Sequence, residues 1–193
     1  NILNNDIHEI KIETKNKKKY FKVDSNNASE FLSFFKKDLP FKKGTIVIDS
    51  VKKNQKYTGE IVIQEFIAYD TPFFAKLFTF FSLKGLNQKI NDGGIFFDEL
   101  FSEYSFYENK VFLKDGLIKG SQLGLTFNGD INIQKELYDI NGTFIPAYTI
   151  NTLLTDLPIV GDIISAGSPE GGLIAANFSI KSKDEKTEFS FNP

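Results

Sequence analysis

The chain has 193 residues, 41% hydrophobic and 25% charged, which excludes wholesale disorder and allows a sizeable core. Its 23 basic residues are all lysines, set against 25 acidic ones. The resulting net charge of −2 argues against nucleic-acid binding through phosphate contacts. Cysteine is absent and His8 is the only histidine, which excludes thiol chemistry, cysteine-ligated metals and multi-histidine sites.

Taken in chain order, residues 1–28 read as the first strands of a sheet. His8 shares parity with Ile10 and Ile12 and is an ordinary strand residue, and Lys15–Lys19 is a hairpin tip. Asn27 or Ser29 caps a helix to Lys37, with Phe31, Leu32, Phe34 and Phe35 as its apolar positions. Gly44–Val51 and Tyr57–Tyr69 are strand-like. Pro72 opens a second helix to Leu83, apolar nearly all round apart from Lys76, Thr79 and Ser82. Lys110–Lys119, Ser121–Ile133 and Glu136–Ile145 are strands, with Asp115-Gly116 and Asn128-Gly129 as turns or bulges. In the middle one, Leu123, Leu125, Phe127, Ile131 and Ile133 share one face. A third helical region spans Thr149 to Ile164, broken by Pro158. Strands at Gly172–Ser182 and Lys186–Phe191 follow. Long strands in sequence order predict an antiparallel meander.

No reactive constellation stands out. Gly167-Ser168-Pro169-Glu170-Gly171 has its serine adjacent to the first glycine and is not a nucleophile elbow; Asp92-Gly93-Gly94 lacks a phosphate-loop pattern. Adjacent carboxylates such as Asp98-Glu99 and Asp184-Glu185 read as solvated surface charge. No apolar run is long enough to span a membrane. From pattern alone, a sheet covered by its own helices is the simpler reading; a sheet whose apolar face is a trough for acyl chains is the alternative. The chain opens on Asn1 and has no methionine, which predicts a segment of a longer protein.

The C-terminal half tips that balance. Gly142-Thr143-Phe144-Ile145-Pro146-Ala147-Tyr148-Thr149-Ile150-Asn151, then Leu153-Leu154 and Leu157-Pro158-Ile159-Val160-Gly161-Asp162-Ile163, resembles the C-terminal region of AsmA-like proteins of the YhdP type. Gly167–Gly172, Leu173–Ile180 and Asn192-Pro193 are similar to the end of that region. Phe66–Pro72 followed by Leu77–Leu86 is similar to its strand, a-P step and apolar helix, and Asp92–Leu100 to its G-x-x-F-x-x-L entry. The resemblance covers about 29–193. It departs at Lys181–Lys186, where the family often carries glycine and proline.

The resemblance implies one AsmA-like C-terminal domain over residues 1–193. Its fold would be mainly β (α+β), a long, strongly curved antiparallel sheet forming a hydrophobic groove, with about three apolar helices at its edge or end. It implies no enzyme and no metal, and no cofactor beyond bound phospholipid or fatty acyl chains. The expected role is as part of a bridge-like phospholipid transporter between inner and outer membranes, supporting outer-membrane homeostasis and the permeability barrier. The setting is the periplasm of a Gram-negative-type envelope, with an inner-membrane anchor upstream of this chain. Phospholipids and an envelope membrane or membrane-protein partner are the expected partners. The groove set is Leu123, Leu125, Phe127, Ile131, Ile133, Val111, Leu113, Ile140 and Phe144. Phe73, Phe74, Leu77, Phe78, Phe81, Ile150, Leu153, Leu154, Leu157 and Ile163 are expected to plug the groove or dock on a membrane or partner. The rival reading is an envelope interaction module with a closed core.

Overall fold

The computed structural model describes residues 5–36, 38–69, 72–80, 93–121, 123–146, 176–183 and 186–192. They form ten strands and two helices. The order is β1 (His8–Lys15), β2 (Lys18–Ser25), α1 (Ala28–Ser33), β3 (Phe41–Lys53), β4 (Lys56–Ala68), α2 (Pro72–Phe80), β5 (Ile95–Tyr107), β6 (Lys110–Lys119), β7 (Leu123–Asn132), β8 (Leu137–Pro146), β9 (Ala176–Lys183) and β10 (Lys186–Asn192). All ten strands join one sheet in sequence order, antiparallel throughout, with β1 and β10 at its two edges. It is an open meander.

Local sequence explains the reversals. Asn16 and Lys17, and likewise Glu108 and Asn109, take positive φ of 50°, 61°, 48° and 62°. Two consecutive left-handed residues make the hairpin turn whose twist matches its flanking strands. The Lys15–Lys19 tip is therefore placed as expected. At the β7–β8 turn, the Asn132 side-chain oxygen accepts from the Lys135 backbone N–H at 3.0 Å.

The register carries one apolar row across most of the sheet. Ile46, Ile63, Leu100, Ile118, Leu125, Phe144 and Ala176 are directly opposed from β3 to β9 and so share a face. α1 and α2 cover this face. Asn27 caps α1, accepting from the Glu30 backbone N–H at 3.1 Å, and Ala28 and Phe31 turn into the core. In α2, Phe73, Phe74, Leu77 and Phe78 are buried while Pro72, Ala75, Lys76 and Thr79 are exposed. The described helix is thus two-sided rather than apolar all round. Its aromatic side reaches strands far apart in the sheet. Phe74 lies 5.9 Å from Phe97 of β5, Phe73 and Phe74 are 5.2 Å apart, and Phe73 lies 5.0 Å from Phe178 of β9 and 6.0 Å from Phe191 of β10.

Several expectations change in detail. β5 is absent from the strands read in the sequence, because its alternation breaks. Phe97 and Leu100 both face the core, across an irregularity where Glu65 of β4 takes a positive φ of 57°. Asp115-Gly116 is a bulge within the β5–β6–β7 pairing. Asp115 has a φ of 50°, and its N–H donates to the Asn128 side chain at 2.9 Å. Asn128-Gly129 runs straight through β7 and is no turn. Two helices are described; the third expected region, Thr149–Ile164, lies outside the described residues, as do residues 81–83 of the second.

Candidate functional site: an apolar sheet face covered at one end

The apolar face divides along the strands. Its first half, at the base of α2, is closed. Phe78, Phe97 and Phe144 are each 1% exposed, Leu77 and Leu123 0%, and Leu125 3%. Phe66 and Phe97 stack at 5.3 Å, and Phe97 meets Phe74 of the helix. Leu123, Leu125 and Phe144 of the expected groove set therefore belong to a packed core. So do four of the residues expected to plug the groove or dock, Phe73, Phe74, Leu77 and Phe78. They are buried against the sheet, where the aromatic side of the helix meets strands β5, β9 and β10, so of the two expected roles it is docking on a membrane or partner that their burial opposes. Phe81, Ile150, Leu153, Leu154, Leu157 and Ile163 lie outside the described residues.

The second half of the same face runs toward the opposite strand ends. Phe21, Tyr104, Leu113, Gly129, Ile140, Ile180 and Phe189 lie on one row. Tyr57, Phe106, Val111, Ile131 and Tyr138 form the next. All of these residues are half-buried. Phe21, Phe106, Val111, Leu113 and Ile131 stand outside the core cluster, whereas Phe127 and Ile140 border it. Phe21, Tyr57 and Phe106 form a diagonal aromatic ladder, with ring centroids 5.5 and 5.9 Å apart. Lys19 and Lys52 stand at the rim of this half, on the row of Tyr57, and the Lys52 ammonium lies 4.7 Å over the Tyr57 ring.

Of the expected groove set, Val111, Leu113, Ile131 and Ile140 thus fall together on this half. Ile133 does not. It lies past the end of β7 in the turn and is 57% exposed, because the strand stops at Asn132. Phe21, Tyr57, Tyr104, Phe106 and Tyr138 are additions the sequence reading lacked. Tyr57 could have been found from its parity with Ile61 and Ile63; Tyr104 and Phe106 were hidden by the irregular start of β5.

Glycines punctuate this face. A Cβ on Gly116 would run into the Phe127 ring, and one on Gly142 into the Thr126 carbonyl and the Phe178 ring. Across β6 to β9 the row reads Gly116, Phe127, Gly142, Phe178, so each ring lies over a neighbour with no side chain.

The opposite face of the sheet is largely polar. Lys11, Lys22, Asp49, Glu60 and Glu103 make one of its rows, and Asp130, Asp139, Lys181 and Glu188 another. Lys181 pairs with Asp139 at 2.9 Å, and this bond holds the Asp139 carboxyl below its ordinary range. A short apolar row of Val47, Val62, Phe101 and Leu117 interrupts the charges. The shallow hollows of this face are lined by residues such as Lys11, Glu13, Lys22, Asp49 and Glu60.

The single histidine does meet a serine: His8 Nδ1 and Ser25 Oγ are 2.7 Å apart. Ser25 is 1% exposed, and its hydroxyl donates to the Asn27 carbonyl at 3.1 Å. The pair anchors the start of α1, with the His8 ring 5.8 Å from Phe31. Among the described residues there is no cluster of three metal-ligating side chains and no helix long and apolar enough to cross a membrane.

Comparison with family models, curated proteins and solved structures finds no match to this chain.

Proposed function

We propose that this chain is a non-enzymatic lipid-carrying module, in which the second half of the apolar face receives acyl chains. The observation that carries the reading is the grouping of Phe21, Phe106, Val111, Leu113 and Ile131. They share the face of the core yet stand outside it, with neither described helix packed on them. A face of this kind on a water-exposed sheet is a hazard unless something apolar covers it. Each acyl methylene that leaves water for it contributes about 0.8 kcal/mol, so a long chain is held without any reactive group.

Curvature toward this face supports the same reading. Five strand spacings from β5 to β10 span about 24 Å in a flat sheet. The rings of Phe97 and Phe191 are nevertheless linked by ring-to-ring steps of only 5.9, 5.2 and 6.0 Å through α2. Gly116, Gly129 and Gly142 let neighbouring strands and rings approach closely on this face, which suits a trough covered at one end by α2 and open at the other. Lys19 and Lys52 at the open rim carry the charge that suits a phosphate head group. The resemblance of Gly142–Asn151 and its surroundings to AsmA-like proteins of the YhdP type adds the setting: transport of phospholipid across a periplasm as part of a longer, membrane-anchored protein.

The test is lipid extraction and mass spectrometry of the chain purified from a bacterial envelope without detergent. Stoichiometric phospholipid is expected, and its loss in Leu113→Glu and Ile131→Glu. A folded chain free of lipid contradicts the proposal and favours an interaction module with a closed core.

A further inference from the structure

The hairpins β1–β2, β3–β4, β5–β6, β7–β8 and β9–β10 all turn at the end of the sheet where the apolar face lies open. Three of them balance their charge. Glu108 stands with Lys110, Lys135 with Glu136, and Asp184 and Glu185 between Lys183 and Lys186. The other two do not. The β1–β2 turn carries Lys15, Lys17, Lys18 and Lys19, and the β3–β4 turn carries Lys52, Lys53 and Lys56, with no acidic residue inside either run. Far apart in the sequence, the two groups become one patch, because Lys19 of β2 is opposed to Lys52 of β3. The seven lysines carry +7 in a chain of net charge −2, which leaves −9 on the remainder.

This patch is held against local preference. Lys15 is opposed to Lys18, Lys19 to Lys52, and Lys53 to Lys56. Like charges directly opposite one another destabilise a sheet. Lys17 takes a φ of 61° in the tip of its hairpin, where glycine is favoured. Among the described residues, the ion pair of Lys15 with Glu13 at 2.6 Å is the only one in the patch. Lys17, Lys18, Lys19, Lys53 and Lys56 are exposed. Local rules are broken in this way where a functional partner supplies the compensation.

We propose that the lysine patch docks the chain on a membrane surface bearing anionic phospholipids. Lysine is a flexible point charge, and the chain has no arginine, whose planar fork fits a fixed carboxylate; seven lysines suit a diffuse array of phosphates. They also stand on both faces of the sheet. Lys19 and Lys52 share the apolar face, and Lys18 and Lys53 the polar one. Such a distribution meets a plane laid across the strand ends rather than along either face. Each lysine near an anionic bilayer raises binding about fivefold, and only within a Debye length. The patch sits at strand ends, so it does not depend on what lies beside either edge of the sheet. Docking here turns the open end of the trough toward the bilayer. That orientation rests on the lipid-carrying reading, whereas the docking rests on the lysines.

The test is sedimentation of the full chain with vesicles of phosphatidylcholine alone, or of phosphatidylcholine and phosphatidylglycerol in equal parts. Binding to the anionic vesicles alone is expected at about 0.1 M NaCl, and its loss at about 1 M, where the screening length falls from about 10 Å to about 3 Å. Lys17→Gln, Lys18→Gln and Lys19→Gln together should weaken binding on the order of 100-fold, and Lys53→Gln with Lys56→Gln about 25-fold. Lys135→Gln with Lys186→Gln should change it less than about twofold, because these lysines lie three or more strand spacings from the patch, beyond the screening length. The proposal is overturned by no binding to anionic vesicles or by equal binding to neutral ones. It is equally overturned if both patch variants bind like wild type while keeping its circular dichroism spectrum, or if the Lys135 and Lys186 variant loses as much as they do. Binding to poly-L-glutamate but to neither vesicle would overturn it in favour of an acidic protein partner. Sedimentation reads docking and lipid extraction reads loading, so the two fail separately. Lipid-loaded chain that ignores vesicles contradicts docking, and lipid-free chain that binds them contradicts the lipid-carrying reading.

Discussion

The two halves of the apolar face are built from the same strands by the same alternation, yet only one of them is a core. Along β7, Leu123 and Leu125 lie beneath the α2 end of the face and are sealed, while Ile131 on the same strand and the same side is half-buried and stands apart from the cluster. Along β5, Phe97 stacks on Phe66, whereas Phe106 meets Tyr57 of the ladder that continues to Phe21. Strand periodicity decides which face is apolar, and the length and position of α2 decide how much of that face becomes protein interior. What a residue does here depends on its distance along the strand from the helix.

The sharpest way to break this contrast is to truncate the sealed half. Phe78→Ala removes a ring that is 1% exposed and packs 5.7 Å from Phe74. A loss of about 3–5 kcal/mol is expected in urea unfolding, since the cavity adds to the lost burial. Gly142→Val tests the passage between the halves. Its side chain would press on the Thr126 carbonyl and the Phe178 ring, and a cost of about 1–3 kcal/mol is expected by the same measurement. In the open half, Leu113→Ala should cost only about 1 kcal/mol, because the side chain is already half in water. A cost at Leu113 equal to that at Phe78 would erase the distinction between the halves. The smallest effect lies on the outer face. Lys181 holds the Asp139 carboxyl low, so the pair contributes fully above the ordinary carboxylate range and is lost as pH falls through the lowered value. Both partners are well exposed, so Lys181→Ala should remove less than about 1 kcal/mol at neutral pH. It should also leave a shallower decline of stability below about pH 4.

Much of the sheet was legible in the sequence, because period two survives in single strands. β6 was placed at its observed ends, and the shared face of Val111, Leu113, Ile131 and Ile140 follows from parity once the strands pair in order. What escaped depended on non-local facts. β5 was hidden by the irregularity opposite Glu65, which puts Phe97 and Leu100 on one face despite their spacing of three. Ile133 matched the parity of β7, but the strand ends before it, where Asn132 caps the turn. The apolar character of α2 was plain in Phe73, Phe74, Leu77 and Phe78. That these residues are turned toward the sheet, and are not available for docking, was fixed only by the strands they meet.

The most direct measurement uses a phospholipid carrying a photoreactive group in its acyl chain, incubated with the chain, cross-linked by light and mapped by peptide mass spectrometry. Adducts are expected around Phe106, Val111, Leu113, Ile131 and Ile140, and not around Val47, Val62, Phe101 and Leu117 on the opposite face. Adducts spread equally over both faces, or none at all on folded protein, would contradict the assignment of the open half as the acyl-chain site.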